Sequence, residues 1–271
     1  MPDSCVICKC PRSKIKYRVD SFKIVRCLNC GFVYLKNPLP LTDDTDTYDH
    51  YFQASRSHAY EKDSKSAAIR TLWTINDQRL DLIDRVGGIK SILDLGSGRG
   101  HFLYHASGRG YDVRGVEVSA IAAQYCEHHY HVETSLANIE TENWGMEGAI
   151  DLITMWHILE HVSDPVALLR KARSALTPGG YVMLEVPNLN SLKFRLASAD
   201  NKWVGGNHPR HHRLFFTHRT LKKLLEQVGF HNIKFVKTTY NIPDKGIGVL
   251  LLKRILKRSH MDSFLTVIAR Q

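Results

Sequence analysis

Long apolar runs and a leader segment are both missing from this sequence. No stretch of 18 apolar residues occurs in the chain of 271 residues, which excludes a typical membrane-spanning helix. The first residues, MPDSCVICKC, lack the apolar core of a secretory signal, so we expect a cytoplasmic protein. Apolar residues make up 43% and charged residues 24% of the chain, which suffices for a buried core and excludes a mostly disordered chain.

Acidic residues are in short supply. The chain has 27 Asp and Glu against 37 Lys and Arg, a net charge of +10. This balance favours an anionic partner such as nucleic acid, a phosphorylated sugar or an acidic lipid, without choosing among them. It is equally compatible with an enzyme that has a basic surface. The length fits about two domains, or one domain with an appendage, and no internal repeat or low-complexity tract is present.

Cysteine is nearly absent after residue 30, where only Cys126 occurs, on an apolar helical face that we expect in the core. The N-terminal cysteines instead form two Cys-x2-Cys pairs, the spacing of a zinc ribbon. The predicted zinc ligands are Cys5, Cys8, Cys27 and Cys30. Cys10 could replace either member of the first pair, and free or redox-active thiols are the alternative. Four thiolates leave no open position, so residues 1–36 predict a structural zinc site.

Strands and helices alternate through the remainder of the chain. A linker and helical cap is predicted over residues 37–85, with helical periodicity from about 51 to 85. Residues 86–271 then alternate short apolar strands with amphipathic helices, which predicts an α/β fold with a doubly wound, mostly parallel sheet. Ligands bind at the carboxyl ends of the strands in such sheets.

A glycine loop follows the first of these strands, in the sequence ILDLGSGRG at residues 92–100. Glycines let the backbone approach a ligand closely and present its N–H groups. The loop is not the dinucleotide fingerprint, because His101 occupies the position of its last glycine. Asp94 would repel a pyrophosphate but suits a cationic ligand. Glu117 ends the next strand, where acidic residues accept hydrogen bonds from ribose hydroxyls. The pattern predicts a nucleoside cofactor.

Several segments together resemble class I S-adenosylmethionine-dependent methyltransferases. They are LDLGSGRG (93–100), GVEVS (115–119), DLITMWHILEHVSDP (151–165), LTPGGYVMLEVPN (176–188) and PRHHRLFFTHRTLKKLLEQVGF (209–230). The chain looks most like the branch with ubiquinone-pathway O-methyltransferases and sugar methyltransferases, some of which carry an N-terminal zinc ribbon. The resemblance implies a seven-stranded, Rossmann-like methyltransferase fold, in which the terminal run 264–269 inserts antiparallel, and S-adenosyl-L-methionine as cofactor.

The resemblance also implies which residues contact this cofactor. They are Asp94, Gly96, Ser97, Gly98, Gly100, Glu117, Val118, Leu136, Ala137, Trp156 and His157. The loop residues would hold the methionine part, Glu117 the ribose, and Leu136 and Ala137 the adenine. Trp156 and His157 would lie beside the sulfonium. Many family members have an acidic residue where this chain has Ala137, so the adenine contact there is expected from the backbone.

Histidines are the expected proton acceptors for an SN2 methyl transfer at neutral pH. The candidate catalytic residues are His157, Glu160, His161, His208 and His211. The first three follow a strand, and the others lie with His212 and His218 near a predicted lid over residues 189–216. The alternative is that these histidines are structural, with His161 fixing its loop through a backbone hydrogen bond.

Three functions compete for this sequence. The first is methyl transfer to a small-molecule or glycan- or lipid-linked acceptor. The alternative is an rRNA or tRNA methyltransferase whose ribbon binds RNA; the absence of an Asn/Asp-Pro-Pro-aromatic motif weighs against base amino groups as acceptors. The third is a scaffold that binds cofactor without turnover.

Residues 246–260 form a basic amphipathic segment that either packs on the sheet or contacts an anionic membrane at its inner face.

Overall fold

A computed structural model describes residues 4–38, 49, 52–53, 61–62, 64–196, 208–236 and 263–271. The basic segment 246–260 and the middle of the predicted lid, residues 197–207, lie outside the described residues. The membrane contact and the cytoplasmic location therefore stay predictions. Within the described part, no helix combines the length and the apolar character needed to cross a bilayer.

The larger sheet has seven strands in the order β10-β11-β8-β7-β4-β5-β6. Its strands are β4 Ser91–Leu95, β5 Asp112–Glu117, β6 Thr134–Leu136, β7 Ile150–Trp156, β8 Leu176–Pro187, β10 His231–Val236 and β11 Phe264–Arg270. Strands β4 to β8 run parallel, and β11 lies antiparallel between β8 and β10. The central strands are apolar and buried, as strands covered on both faces must be. The predicted doubly wound fold and its antiparallel terminal strand are confirmed.

Most of the helices begin where the sequence offers a capping side chain, and the exception follows Gly100. They are α1 Ala67–Asp84, α2 His101–Gly108, α3 Ala120–Tyr130, α4 Pro165–Ala175, α5 Leu192–Leu196 and α6 His218–Gln227. Ser119, Asp164 and Thr217 each accept a backbone N–H from the first turn of α3, α4 and α6. Residues 52 and 53 are helical, as predicted, but residues 64–66 are not, and α1 begins at Ala67 after the Ser66 cap.

A second, four-stranded sheet carries the N-terminal cysteines. Its strands are β1 Ser13–Val19, β2 Phe22–Cys27, β3 Val33–Leu35 and β9 Leu214–Phe215, in the order β1-β2-β3-β9. Strands β1 and β2 form an antiparallel hairpin between the two cysteine pairs. The last strand comes from the predicted lid segment, far along the chain. The predicted boundary at residue 36 therefore divides segments that share one sheet, and it stays a prediction from sequence.

Candidate functional site

The glycine loop connects β4 to α2 and needs its glycines for two reasons. Gly96, Gly98 and Gly100 have positive φ values of 72°, 54° and 76°, a region that residues with a Cβ rarely adopt. A Cβ at Gly96 would overlap the side chain of Ile158, and a Cβ at Gly100 would overlap the Cys126 sulfur. Cys126 is thus a core residue, as predicted, and it also packs directly against the loop.

Glu117 closes the loop from the end of β5. Its Oε2 accepts a hydrogen bond from Gly98 N at 2.7 Å, and its Oε1 accepts from Val118 N and Ser119 N at 2.9 Å each. Burial raises the pKa of Glu117 above its usual value, although these three N–H groups oppose the shift. The carboxylate therefore lies beside the loop at the carboxyl edge of the sheet, where a ribose would approach.

The predicted adenine residues lie on the neighbouring strand. Leu136 is paired with Glu117 in the β5–β6 ladder and is 57% exposed. Ala137 N donates to the Glu117 carbonyl at 3.0 Å, so its backbone is fixed at the same edge. An exposed leucine beside a buried carboxylate offers an apolar face for a base next to a polar contact for a sugar.

Asp94 is more deeply buried than its predicted role suggested. The side chain is 2% exposed, and its Oδ1 accepts a hydrogen bond from the Thr154 hydroxyl at 2.6 Å. Burial raises its pKa to about 7, with the Thr154 hydrogen bond opposing this shift. The carboxyl group is thus near half-ionised at neutral pH, and a cation bound nearby would favour its charged form.

Trp156 is the last residue of β7, and His157 follows it. Both residues contact a buried network of charged side chains. The Arg79 guanidinium lies 4.1 Å from the Trp156 ring centroid and 2.7 Å from Glu185 Oε1. The Thr266 hydroxyl donates to Glu185 Oε2 at 2.6 Å. Arg79 holds the pKa of Glu185 far below its usual range despite burial.

His157 has a positive φ of 60° and faces two carboxylates. Its Nδ1 lies 3.4 Å from Glu160 Oε1 and its Nε2 lies 3.3 Å from Glu185 Oε1. Burial disfavours the imidazolium, but the two carboxylates outweigh burial and raise the pKa of His157 to about 9. His157 therefore holds its proton at neutral pH and is a poor proton acceptor there.

His161 is held by a backbone carbonyl group. Its Nδ1 lies 2.8 Å from the carbonyl oxygen of His211. A carbonyl only accepts, so Nδ1 carries the proton and Nε2 of a neutral His161 keeps its lone pair. Glu160 Oε1 lies 3.9 Å from this Nε2. Burial works against ionisation of Glu160, but His157, with His161 and His212, lowers its pKa below the usual value.

His212 joins this cluster, although no separate role was predicted for it. The ligand atoms of Glu160, His161 and His212 all lie within 4.8 Å of one another, compact enough to accept a cation. Burial lowers the pKa of His212 to about 4. Burial and neighbouring cations also lower the pKa of His211. Both side chains are therefore neutral at physiological pH.

His208, a predicted catalytic residue, lies elsewhere. Its Nε2 is 3.3 Å from Asp20 Oδ2 in the β1–β2 turn, and its ring packs edge-on against Phe22. Sequence reasoning missed Arg79 and Glu185. A signal for Glu185 existed, because one carboxylate interrupts the apolar strand YVMLEVP.

The four predicted zinc ligands meet at one point, with all four sulfur atoms within 4.8 Å of one another. Cys5 and Cys30 Sγ are 3.6 Å apart, and Cys8 and Cys27 Sγ are 3.5 Å apart. These distances are too long for disulfides and close to the spacing of roughly 3.8 Å around tetrahedral zinc. Cys10 lies outside the group, with its Sγ 3.8 Å from the Arg12 carbonyl.

The two cysteine pairs share one backbone design. Lys9 N donates to the Cys5 carbonyl at 2.8 Å, and Gly31 N donates to the Cys27 carbonyl at 3.1 Å. Lys9 and Gly31 both have positive φ, 56° and 77°. Each pair therefore sits on an equivalent tight turn that aims two sulfur atoms at the same point, which fits a four-thiolate metal site.

Comparison with known proteins agrees with this geometry. A family model described as a methyltransferase domain matches residues 58–234. The chain is 30% identical over 158 residues to a ubiquinone biosynthesis O-methyltransferase of Chromobacterium violaceum, covering 56% of this chain and 67% of the relative. It is 25% identical over 188 residues to a protein of the same name from Cupriavidus pinatubonensis, covering 65% and 75%.

A solved structure of similar fold is a phosphoethanolamine N-methyltransferase 2 of Haemonchus contortus in complex with S-adenosylhomocysteine. It aligns with a TM-score of 0.62 and 17% identity over 88% of this chain and 62% of that chain. At this identity the likeness shows the fold alone.

Proposed function

The chain belongs to the family of methyltransferase domains and is an S-adenosylmethionine-dependent methyltransferase, and we propose that it methylates a hydroxyl of a small-molecule or glycan- or lipid-linked acceptor with His161 as proton acceptor. The observation that carries this proposal is the hydrogen bond from His161 Nδ1 to the His211 carbonyl, because it leaves Nε2 as the basic nitrogen. The O-methyltransferase names of the relatives support a hydroxyl acceptor.

The glycine loop and its neighbours fit the cofactor. The proposed contacts are Asp94, Gly96, Ser97, Gly98, Gly100, Glu117, Val118, Leu136, Ala137, Trp156 and His157. A Cβ at Gly96 or Gly100 would fill space taken by Ile158 or Cys126, so the loop keeps this conformation only with glycine. When bound, S-adenosylmethionine supplies an electrophilic methyl group on a sulfonium whose neutral thioether is a good leaving group.

The protein's own part is alignment and proton removal. With the cofactor bound, the acceptor oxygen would take the methyl group as the neutral thioether leaves, so the chain's part is to hold the acceptor against that methyl group. His161 Nε2 takes the acceptor proton, while Nδ1–H stays bonded to the His211 carbonyl. The Glu160 carboxylate, 3.9 Å from Nε2, stabilises the imidazolium that forms through its negative charge. His157 is already protonated, so in proton removal it positions Glu160 instead of accepting a proton.

We further propose that Cys5, Cys8, Cys27 and Cys30 bind a structural Zn²⁺. The converging sulfurs on two equivalent turns support this assignment. Four protein ligands leave no coordination position for substrate, so the metal would stabilise the module rather than take part in methyl transfer.

A test of the acceptor class uses methyl-labelled cofactor and three sets of acceptors. These are catechols and quinols, sugar nucleotides and lipid-linked sugars, and total RNA. The proposal expects saturable label transfer to one of the first two sets. Label recovered only in RNA would contradict it and favour the nucleic-acid alternative. Product mass and alkaline stability then distinguish an O-methyl ether from C- and N-methylation.

A further inference from the structure

The cysteine module, residues 4–35, is bonded to the loop that carries His211. We call residues 208–216 the acceptor-side loop. In the β3–β9 ladder, Tyr34 pairs with Leu214, and Leu35 N donates to the Arg213 carbonyl at 2.8 Å. The partners are far apart in sequence, so this pairing exists only in the folded protein.

The same loop is bonded on its other side to the segment after β7. Arg213 N and Leu214 N both donate to the Glu160 carbonyl, at 2.9 and 3.1 Å. Two residues before Arg213, the His211 carbonyl accepts a hydrogen bond from His161 Nδ1 at 2.8 Å. The acceptor-side loop therefore bridges the cysteine module and the proposed proton acceptor.

Apolar packing strengthens the bridge. Three of the module's cysteines lie in the same buried cluster as Leu159 and Phe216. The ring centroids of Phe32 and Phe216 are 5.3 Å apart. In addition, Gln227 on α6 donates to the Ile7 carbonyl at 2.9 Å. Both apolar clusters that contain module residues also contain residues of the acceptor-side loop.

We propose that the four-cysteine module positions the acceptor-side loop, so that the metal it holds keeps the His211 carbonyl against His161 and thereby fixes the proton-accepting nitrogen. The inference rests on the proposed function of His161. Residues 33–35 are then positioning residues for methyl transfer, although they contact no substrate. Without metal, the two cysteine turns lose their common anchor, β3 loosens, and the β9 pairing loosens with it.

The cofactor loop has a different set of supports. The contacts described for it come from Phe52, Val116, Glu117, Cys126 and Ile158. None of these residues belongs to the cysteine module or to the acceptor-side loop, although Ile158 lies in the segment after β7 that also carries His161. We call the glycine loop with Glu117 the cofactor half of the site, and His161 with the acceptor-side loop the acceptor half. Removal of the metal should therefore leave cofactor binding intact while proton removal fails.

The experiment compares Cys8→Ser with Cys10→Ser in the full chain. Cys8 belongs to the converging sulfurs, and Cys10, two residues away, does not. Bound metal is measured by mass spectrometry, cofactor affinity by calorimetry, and loop order by amide hydrogen exchange. Chelation of the wild type followed by zinc addition provides a reversible version, should Cys8→Ser fold poorly. The variant pair remains necessary because a chelator would also strip a cation from Glu160, His161 and His212.

We expect Cys8→Ser to lose its metal and to bind S-adenosylmethionine within about threefold of the wild type. Exchange of the Arg213 and Leu214 amides should accelerate at least tenfold, and kcat should fall at least tenfold with the acceptor found above. The ¹⁵N signals of His161 should change from the single Nδ1–H tautomer to a mixture. Cys10→Ser should match the wild type in every measurement.

Two results would overturn the inference. One is a metal-free protein with unchanged exchange at residues 213–214 and an unchanged His161 tautomer. The other is loss of cofactor binding in step with loop order, which would mean that the metal stabilises the whole chain. The exchange and tautomer measurements need no acceptor. Failure of the proposed acceptor class would therefore leave this test intact.

Discussion

The two halves of the site are built in opposite ways. The cofactor half is mostly local: the glycine loop spans residues 96–100, and Glu117, at the end of the adjacent strand, accepts its Gly98 N–H. The acceptor half is assembled from distant segments, because His161 depends on His211 and the loop of His211 depends on strand β3. Backbone conformation determines the first half, and tertiary contacts determine the second.

This difference predicts how the halves fail. A change in the glycine loop should damage cofactor binding directly, since the backbone itself makes the site. A change in the acceptor half should leave cofactor affinity intact and appear in turnover. The following expectations test that separation, from the largest effect to the smallest.

The largest effect is expected for His161→Gln. Loss of the proton acceptor should lower kcat by roughly 10² to 10⁴, the usual contribution of a general base. The Kd for S-adenosylmethionine should stay within about twofold. His128→Gln, at an exposed histidine of α3, is the matched control and should behave as the wild type in both assays. A loss of cofactor affinity in His161→Gln equal to its loss of turnover would break the separation.

Gly100→Ala should weaken cofactor binding directly. The new Cβ meets the Cys126 sulfur at a positive φ of 76°, so we expect a destabilisation of about 1–3 kcal/mol and at least tenfold weaker cofactor binding. Thermal denaturation and calorimetry measure these effects. Gly108→Ala is the control, because no atom lies within 4 Å of its Cβ position. The double variant with Cys126→Ala should recover part of the stability; no recovery would assign the loss to φ alone.

Cofactor binding should also depend on pH through Asp94. Its pKa is raised to about 7, and a sulfonium favours the ionised carboxylate. Affinity for S-adenosylmethionine should therefore rise by roughly five- to tenfold between pH 6 and pH 8. S-adenosylhomocysteine lacks the sulfonium charge and should show a smaller rise. Equal pH dependence of the two ligands would rule out a charge contact with Asp94.

The pKa of His157 predicts that the stability of the protein falls as pH rises. Its pKa is raised from 6.5 to about 9 by Glu160 and Glu185, against the effect of burial. The stabilisation is fully present below pH 6.5 and is lost as pH rises through 9. Because the side chain is 36% exposed, we discount for solvent screening and expect a loss of about 1 kcal/mol. Thermal denaturation of wild type and His157→Gln across this range measures it, and parallel pH curves would contradict the ion pairs.

The smallest effect is expected away from both halves. Arg109 lies 2.8 Å from Asp81 and 2.7 Å from Asp84, and these exposed pairs join α1 to α2. Arg109→Gln should lower stability by less than about 1 kcal/mol and change neither cofactor affinity nor turnover. A turnover defect there would mean that the packing of α1 controls the acceptor half through Arg79.

The same contrast explains what the sequence predicted and what it did not. Alternating strands and helices, the caps at Ser119, Asp164 and Thr217, and the glycine loop are local patterns, and the structure contains each of them. The cysteine spacing predicted four converging sulfurs but left open whether Cys10 replaces Cys5 or Cys8, because that choice depends on where the second pair lies. The structure brings Cys8 into the group.

The acceptor half could not be read from local pattern. Pairing of β9 with β3, the burial of Glu185 beside Arg79, and the placement of His208 against Asp20 all depend on contacts between remote segments. The histidine run 208–212 gave no period by which its members could be distinguished. Only the fold separates a histidine that faces Glu160 from one that faces the hairpin.

The most direct test of the whole account is calorimetric titration of S-adenosylmethionine into the wild type, Glu117→Ala and Glu127→Ala. Glu127 is an exposed carboxylate on α3 and serves as the control. We expect saturable binding of one cofactor per chain to the wild type and to Glu127→Ala, with at least tenfold weaker binding to Glu117→Ala. No binding heat with the wild type, or equal affinity in all three proteins, would contradict it.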